Sequence, residues 1–464
     1  MSLCRFYPQP SDRMAIMWSL IPIKGAIVLE YGPAGTTHFG GGMYGSLGLR
    51  PNESLFTTHI SEDDVVMGDV SRLENAILEL DAAYAPQVIF VVASAVIAVI
   101  GTDIVGVCNY MQEKVNARLV AFPDGGFRGD YTFGLRAVYR LLAEEMTTPV
   151  MRQEVEPSSA VSKDRSAKPE FKQQTKGNTE AAAAISCTYQ ILGASAGSYR
   201  IRSDVWEVRQ LMQEAFGWDC RMIMGLETSV EELSGAGKAS LNLVLRNEAL
   251  EAARVFQKKF DTPYVYSAPY GYAGTLRWLN QISEVIGVPV NPAVTERLQE
   301  KILDMRPMGM GGPMGSIRRK NPAAVIQGDY DTVLGLAGAM EEMEIPVVHR
   351  ICSHSLKAIE KAPMGTERRT AAGIRTGVVE DESDSLHYYP VEKERLDLFG
   401  GLRDTWILGS EEAERFASKD NYFTCVSAPF VGHTQIASHL PFMGEKGMDY
   451  LRECKSSYFA RCGI

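Results

Sequence analysis

Short apolar runs alternate with longer amphipathic stretches along the chain. Near the N-terminus, the apolar residues 26–29 and 88–92 lie on either side of a helix-length amphipathic segment at residues 70–80. Buried parallel strands are typically short continuous apolar runs, whereas the helices between them repeat their apolar positions every 3.6 residues. The pattern therefore predicts βα units that build a parallel sheet.

The same alternation begins again twice. It predicts strands at residues 188–192, 220–225, 241–245, 263–267, 323–327 and 346–351, and helices at residues 204–216, 275–286, 332–343 and 447–454. Ser203 is expected to cap the helix that starts at residue 204, because a serine hydroxyl accepts hydrogen bonds from first-turn amides. The fold class is α/β, with three Rossmann-like doubly wound parallel-sheet domains.

A polar segment separates the first two of these domains. Residues 151–180 are rich in Lys, Ser, Glu and Gln and have little to bury, so their ordering entropy cannot be offset by packing. We expect this segment to be mobile and dispensable for folding. The predicted organisation is an N-terminal domain at 1–150, a linker at 151–185, a second domain at 186–315 and a third at 316–464.

Composition narrows the class of protein. The chain has 464 residues, 45% of them hydrophobic, and a net charge of −10, so it should fold, and a nucleic acid is a poor partner. The longest apolar run, residues 88–100, is shorter than the ~20 residues that span a bilayer and is interpreted as one buried strand. With no export signal evident, we expect a cytoplasmic protein without membrane contact. The eight cysteines are dispersed and form no disulfide framework.

Glycine-rich loops follow several predicted strands, where α/β sheets usually bind ligands. They lie at residues 32–38, 193–199 and 269–275. Each could equally be a tight turn. The residues that we take as candidates for a substrate cleft are His38, Ser195, Tyr199 and Tyr270. The loop at 309–315 lacks the Lys-Ser/Thr ending of a phosphate-binding loop, and we interpret it as an interdomain connection.

Histidines and cysteines suggest few metal sites. His433 and His439 lie six residues apart, near Cys425, and a metal site formed by these three residues is conceivable. The six-residue spacing, however, does not place the two histidines on one helical face. His349, Cys352 and His354 follow one another at the end of a predicted strand. For both groups, burial is the expected outcome.

Several phrases occurring in order are more specific than any single loop. Together they resemble the nitrogenase component 1 family, which includes nitrogenase, its cofactor scaffold and the dark tetrapyrrole reductases. The phrases are SEDDVVMGDVSRLENAI (61–77), VIGTD (99–103), GGFRGDYTFG (125–134), SDVWEVRQLM (203–212), TSVEEL (228–233), AGKASLNLVL (236–245), PYGYAGT (269–275), GDYDTVLGLA (328–337) and PFMGEKGMDYL (441–451). The resemblance implies three Rossmann-like domains around a central cleft.

The resemblance also implies where an iron-sulfur cluster would be bound. The family's N-terminal cysteine corresponds to Cys4, while Thr36, in the loop with Gly32 and Gly35, and Ala95 stand where two further cysteines would be. Neither Thr nor Ala supplies a thiolate, so this chain by itself cannot hold a cluster in its first domain. Some family members divide the ligands three to one between two subunits, and Cys4 would suit the single-ligand side.

By resemblance, then, the chain is a subunit of a nitrogenase-like oxidoreductase, cytoplasmic and heterotetrameric. It would pair with a homologous cysteine-bearing subunit, share a 4Fe-4S cluster with it and accept electrons from an ATP-hydrolysing iron-sulfur reductase, for reduction of a small molecule or tetrapyrrole. ATP would be used by the reductase alone. Two alternatives stay open: a non-catalytic scaffold for metallocluster assembly, and a cluster-free structural or binding subunit.

Overall fold

The structure is a computed structural model that describes residues 10–147, 187–305, 322–355, 357, 359, 386–388, 390–426 and 440–461. Several sequence predictions fall outside these residues. They are the ligand Cys4, the linker 151–185, the loop 309–315 and the pair His433 and His439.

Parallel strands form three main sheets, which follow one another along the chain. The strands are β1 Ile23–Lys24, β2 Ala26–Tyr31, β3 Leu55–Thr57, β4 Val88–Ala93, β5 Arg118–Phe122, β6 Thr188–Leu192, β7 Asp219–Ile223, β8 Thr228–Ser229, β9 Leu241–Val244, β10 Tyr264–Tyr266, β11 Ala323–Gly328, β12 Val347–Cys352, β13 Leu386–Tyr388, β14 Thr405–Gly409 and β15 Tyr422–Cys425. The orders are β3-β2-β4-β5, β10-β9-β6-β7 and β13-β12-β11-β14-β15. A two-stranded pairing of β1 with β8 joins the first unit to the second.

Helices follow most of these strands. They are α1 Asp12–Leu20, α2 Ala34–Ser46, α3 Pro51–Ser54, α4 Glu62–Met67, α5 Ser71–Tyr84, α6 Ala95–Ile100, α7 Ile104–Met111, α8 Tyr131–Glu145, α9 Ile201–Phe216, α10 Val230–Ser234, α11 Leu250–Phe260, α12 Tyr272–Ile286, α13 Pro292–Asp304, α14 Tyr330–Glu342, α15 Glu392–Gly400, α16 Glu411–Phe416 and α17 Gly444–Arg461. Short 3-10 helices occupy Gln112–Lys114, Ala236–Lys238 and Asn247–Ala249.

The sheets are buried on both faces, as doubly wound sheets must be. In β2, Val28 packs into one hydrophobic cluster while Ile27 and Leu29 pack into another on the opposite face. The first cluster is continuous through all three sheets, with Tyr189 in the second and Trp406 in the third. The predicted α/β class with several Rossmann-like parallel sheets is confirmed.

Two local predictions are wrong. Residues 88–100 are not one strand: β4 ends at Ala93, and α6 begins at Ala95, because the Ser94 hydroxyl accepts from the Ile97 amide and caps the helix. Ser203 does not cap α9, which begins at Ile201 after Arg200, a residue in the left-handed region with φ of 57°.

Candidate functional site

Three loops meet at the carboxyl edge of the first sheet. They follow β2, β4 and β5, and they pack so closely that side chains are excluded at two glycines. A Cβ on Gly32 would lie 2.4 Å from the Cβ of Ser94, and one on Gly125 would lie 2.3 Å from the Cβ of Ala98. The structure therefore brings together the two loops that lead into Thr36, in the first turn of α2, and Ala95, at the start of α6.

A buried carboxylate beneath the first loop sets its shape. Glu30, at 1% exposure, forms an ion pair with Arg13 from α1. It also accepts hydrogen bonds from the hydroxyls of Thr37 at 2.7 Å and Thr36 at 3.3 Å. The Thr36 hydroxyl further donates to the Pro33 carbonyl at 2.8 Å. Thr36 stands where the family resemblance expects a cysteine ligand, and its hydroxyl is thus already engaged in holding the loop.

The described residues at this edge do not fit an iron-sulfur cluster by themselves. Ala95 is the first residue of α6 and offers a methyl group, and the Thr36 oxygen is engaged as described. Clusters require thiolates. Cys108, on α7, is buried in the core, and burial raises the pKa of its thiol to about 12. Among the residues that the structure describes, no group of three or more His, Cys, Asp or Glu side chains is arranged for a metal ion.

Helix α2 presents an unusual glycine face. A Cβ on Gly35, Gly41, Gly42 or Gly45 would meet nothing within 4 Å, so packing inside this chain does not require glycine there. Each glycine in a helix interior costs about 1 kcal/mol relative to alanine. The face borders a cleft of about 810 Å³ that is lined in part by His38. Glycines kept at such a cost are typical of a surface that another backbone approaches.

An exposed apolar surface lies beside the same edge. Val66 and Met67 of α4 are 81% and 79% exposed, and Val99 of α6 is 71% exposed. Val66 and Met67 line a cleft of about 640 Å³ together with Ile100, the neighbour of Val99, and Tyr110. We call these five residues the apolar patch. Contiguous exposed apolar surface of this kind marks a site of protein contact.

The other cleft candidates are not brought together with His38. Ser195 is buried in the loop after β6, where its hydroxyl accepts from the Gly197 amide at 3.2 Å. Tyr199 is half-buried beside Phe442. Tyr270 is buried, and its hydroxyl accepts from the Arg246 guanidinium at 3.4 Å. These three belong to the second sheet, whereas His38 belongs to the first.

A buried polar network at the carboxyl ends of the second and third sheets was missed by sequence reasoning. Arg246 donates to the Thr332 hydroxyl at 2.6 Å, and the Asn247 amide donates to Asp331 at 2.9 Å. Burial, followed by the neighbouring Asp331, raises the pKa of Glu248 to about 8. Tyr131, from α8 of the first unit, donates to Asp329. The network joins the three units at their centre.

The histidines near β12 divide into two environments. Cys352 and His354 are buried as expected, and His354 accepts from the Tyr330 amide at 3.0 Å. His349 is instead half-buried against His387 of β13, with 3.2 Å between Nδ1 of the first and Nε2 of the second. Burial and the charge of His387 lower the pKa of His349.

Comparison with known proteins settles the family. A family model described as nitrogenase component 1 type oxidoreductase matches residues 12–455. The chain belongs to this family. The resemblance inferred from the sequence phrases is therefore confirmed. Proteins of the nitrogenase component 1 family bind metal-sulfur clusters and work with homologous subunits and an iron protein reductase.

The curated relatives match over part of their length. The nitrogenase iron-molybdenum cofactor biosynthesis protein NifE of Nostoc is 30% identical over 61% of this chain and 52% of that protein. Its counterpart from Clostridium pasteurianum is 26% identical, over 58% and 52%. The nitrogenase molybdenum-iron protein alpha chain of Clostridium pasteurianum is 25% identical, over 61% and 48%. The matches thus span about half the length of these relatives.

Solved structures agree in fold. One titled "Nitrogenase Cp1 at pH 6.5" aligns with a TM-score of 0.68 at 15% identity, covering 99% of this chain and 94% of that one. The nitrogenase component 1 architecture is therefore present in nearly the whole chain. In the part of the chain that the structure describes, no helix has the length and apolar character needed to cross a membrane.

Proposed function

We propose that this chain is the ligand-poor subunit of a two-component nitrogenase-like complex. It pairs with a homologous subunit that supplies most of the cluster thiolates, and it forms half of the docking surface for an ATP-hydrolysing iron-sulfur reductase. The complex reduces a small molecule or a tetrapyrrole. The single observation that carries the proposal is that Thr36 and Ala95 lie at the starts of α2 and α6, just after the contact of Gly32 with Ser94 at one sheet edge, with no thiol at either position.

The α2 glycine face supports the homologous partner. It begins at Gly35, next to Thr36 in the first turn of α2, and its glycines leave room for another backbone. A second subunit placed on this face would bring its own cysteines to the edge where this chain has none. Cluster ligation would then come from the partner, with Cys4 as this chain's contribution.

Chain connectivity is compatible with that role for Cys4. Ser11 is the seventh residue after it and forms a β-bridge with Asp130 beside the loop of Gly125. Seven extended residues span at most roughly 25 Å. The length of the intervening chain therefore does not prevent Cys4 from contributing a ligand at this edge.

The apolar patch supports the reductase. Helix α6 begins at Ala95, at the ligand position, and ends at Ile100, in the patch. Six helical residues rise about 9 Å. A redox protein docked on the patch would lie a short helix away from the proposed cluster edge, which suits electron transfer between them.

The test is co-expression with a cysteine-bearing homologue, followed by anaerobic purification, iron and sulfide counting, and EPR. We expect one cluster per pair of subunits, and none when this chain is purified alone. Cys4→Ala should make the cluster labile and lower its iron content. Cys187→Ala, at an exposed cysteine, is the matched control. A stable cluster-free monomer that binds neither partner would contradict the proposal and favour the structural or binding role.

A scaffold for metallocluster assembly is the second candidate, and the matches to cofactor biosynthesis proteins favour it. In that case, the purified complex would carry a cluster precursor and deliver it to a cluster-free acceptor protein. It would show no catalytic turnover with reductase and ATP. Measuring transfer and turnover on the same preparation separates the two candidates.

A further inference from the structure

Arg200 is held in an aromatic cage on the second unit. Its guanidinium carbon lies 5.2 Å from the ring centre of Tyr199, 4.7 Å from that of Phe442 and 4.8 Å from that of Tyr450. The rings belong to the loop before α9 and to the segment that leads into and through α17. Each ring face attracts the cation and excludes water from part of its surface.

The cage leaves part of the hydrogen-bonding capacity of Arg200 unused, although the guanidinium also forms a hydrogen bond with Tyr199. Of the five guanidinium N–H groups, Nη1 donates to the Leu440 carbonyl at 3.3 Å and Nη2 to the Tyr450 hydroxyl at 3.5 Å. Both bonds are long. The Nε atom is shielded from solvent and has no acceptor. A buried donor without a partner is costly and calls for an explanation.

No carboxylate of the described residues forms an ion pair with Arg200. Asp204 is close enough to feel its charge, but the Asp204 carboxylate accepts from the amides of Phe442 at 2.6 Å and Met443 at 3.0 Å. The other polar groups around the cage are the hydroxyls of Tyr199 and Tyr450, which form hydrogen bonds with Arg200 and with the thiols of Cys425 and Cys454. These weakly acidic partners do not balance the charge of the guanidinium.

We propose that Arg200 and its tyrosines form a binding site for a small oxyanion, a carboxylate or a phosphate group of a ligand. The planar fork of the guanidinium matches two oxygens of either group. The tyrosine rings hold the guanidinium in place, and its half-exposed position leaves a path for entry. The site lies at the carboxyl edge of the second sheet, away from the loops of Thr36 and Ala95, and does not depend on a cluster.

The competing explanation is that Arg200 only ties the start of α17 to α9 through its ring contacts. That role would make Arg200 important for stability without giving the chain any affinity for anions. The two explanations differ in what an anion does to the purified protein, so binding has to be measured directly.

The experiment is isothermal titration of the full chain with inorganic phosphate and, separately, with succinate, at low ionic strength. We expect saturable binding of at least one anion, and the stronger of the two identifies the ligand group. Arg200→Gln should weaken that binding at least about tenfold, because hydrogen bonds to charged groups are lost. Arg202→Gln is the matched control, since Arg202 is exposed and pairs with Glu227 at 2.7 Å.

Folding of each variant is checked by circular dichroism. If Arg200→Gln does not fold, Arg200→Lys keeps the charge but loses the fork, and it should still weaken binding several-fold. The proposal is overturned if the wild-type chain binds neither anion saturably, or if Arg200→Gln or Arg200→Lys binds as the wild type does. Equal weakening by Arg202→Gln would also overturn it, since that result indicates general charge attraction.

Discussion

The ion pair between Arg13 and Glu30 should be among the most sensitive points of the first unit. Glu30 is buried at 1% exposure, and its charge is balanced by Arg13, which is 14% exposed. Arg13→Met would leave the carboxylate buried with only the hydroxyls of Thr36 and Thr37. Breaking a buried pair on one side costs about 3–5 kcal/mol, because an uncompensated charge remains.

Urea unfolding followed by circular dichroism measures this cost. Arg13→Met should lower the free energy of unfolding by about 3 kcal/mol, near the lower end because Arg13 is partly solvated. Glu30→Leu combined with Arg13→Met should cost less than the sum of the two single changes, by about 1–3 kcal/mol. The control is Arg50→Met, since Arg50 pairs with Glu53 on the surface and should contribute below about 1 kcal/mol.

Two results would refute this reasoning. One is a cost for Arg13→Met no greater than that for Arg50→Met. The other is strict additivity of the two changes in the double variant. Either result would mean that Glu30 is solvated or balanced by another group, and that the loop of Thr36 is not shaped by this charge.

Three further predictions concern packing, pH and helix ends. Gly134→Ala should destabilise the fold by at least about 2 kcal/mol, since its Cβ would lie 2.0 Å from the Asp12 carbonyl oxygen. Gly338→Ala has open space around the new Cβ and should stabilise α14 by up to about 1 kcal/mol. Thermal unfolding of both variants measures these changes. Burial raises the pKa of Glu248 to about 8 from 4.5, so the folded state binds this proton more tightly, and stability is lost as pH rises through that window. Glu248→Gln should therefore gain stability relative to wild type across that range, and a pH-independent difference in unfolding free energy would contradict this. Lys259→Met should lower the free energy of unfolding in urea by about 1 kcal/mol. The reason is that the Lys259 ammonium donates to the carbonyls of Glu144 at 2.9 Å and Thr147 at 2.8 Å at the end of α8. The control variant Lys258→Met should have little effect.

The strands were predictable from the sequence because a parallel sheet covered on both faces needs continuous apolar runs. The same property explains the failure at residues 88–100. An apolar run continues from β4 into α6, so composition could not separate strand from helix. The signals that do separate them are Ser94, which caps α6, and Gly101, which ends it in the left-handed region. The start of α9 gave no comparable signal, since a left-handed arginine is not a typical helix cap.

The site was predictable only in part. Thr36 and Ala95 were found through the family resemblance, and the contact between the nearby residues Gly32 and Ser94 follows from the neighbouring positions of β2 and β4. The effect of Glu30 on the shape of the loop depends on α1, because this helix places Arg13 in an ion pair with Glu30. One signal was available: a carboxylate within an apolar strand, just before a glycine loop, needs a partner. The central network around Arg246 joins distant segments and had no local signature.

The contacts of α17 bear on how the chain folds during its synthesis. Asp204 and Glu207, at the start of α9, are buried and accept hydrogen bonds from the amides of Phe442, Met443 and Lys446. These partners leave the ribosome some 240 residues after α9. At about 5–20 residues per second, this delay is roughly 10–50 s. Throughout that interval Asp204 and Glu207 lack these hydrogen-bond partners, and the face of α9 that packs against α17 is uncovered. The second unit therefore completes its folding only after the third unit has emerged.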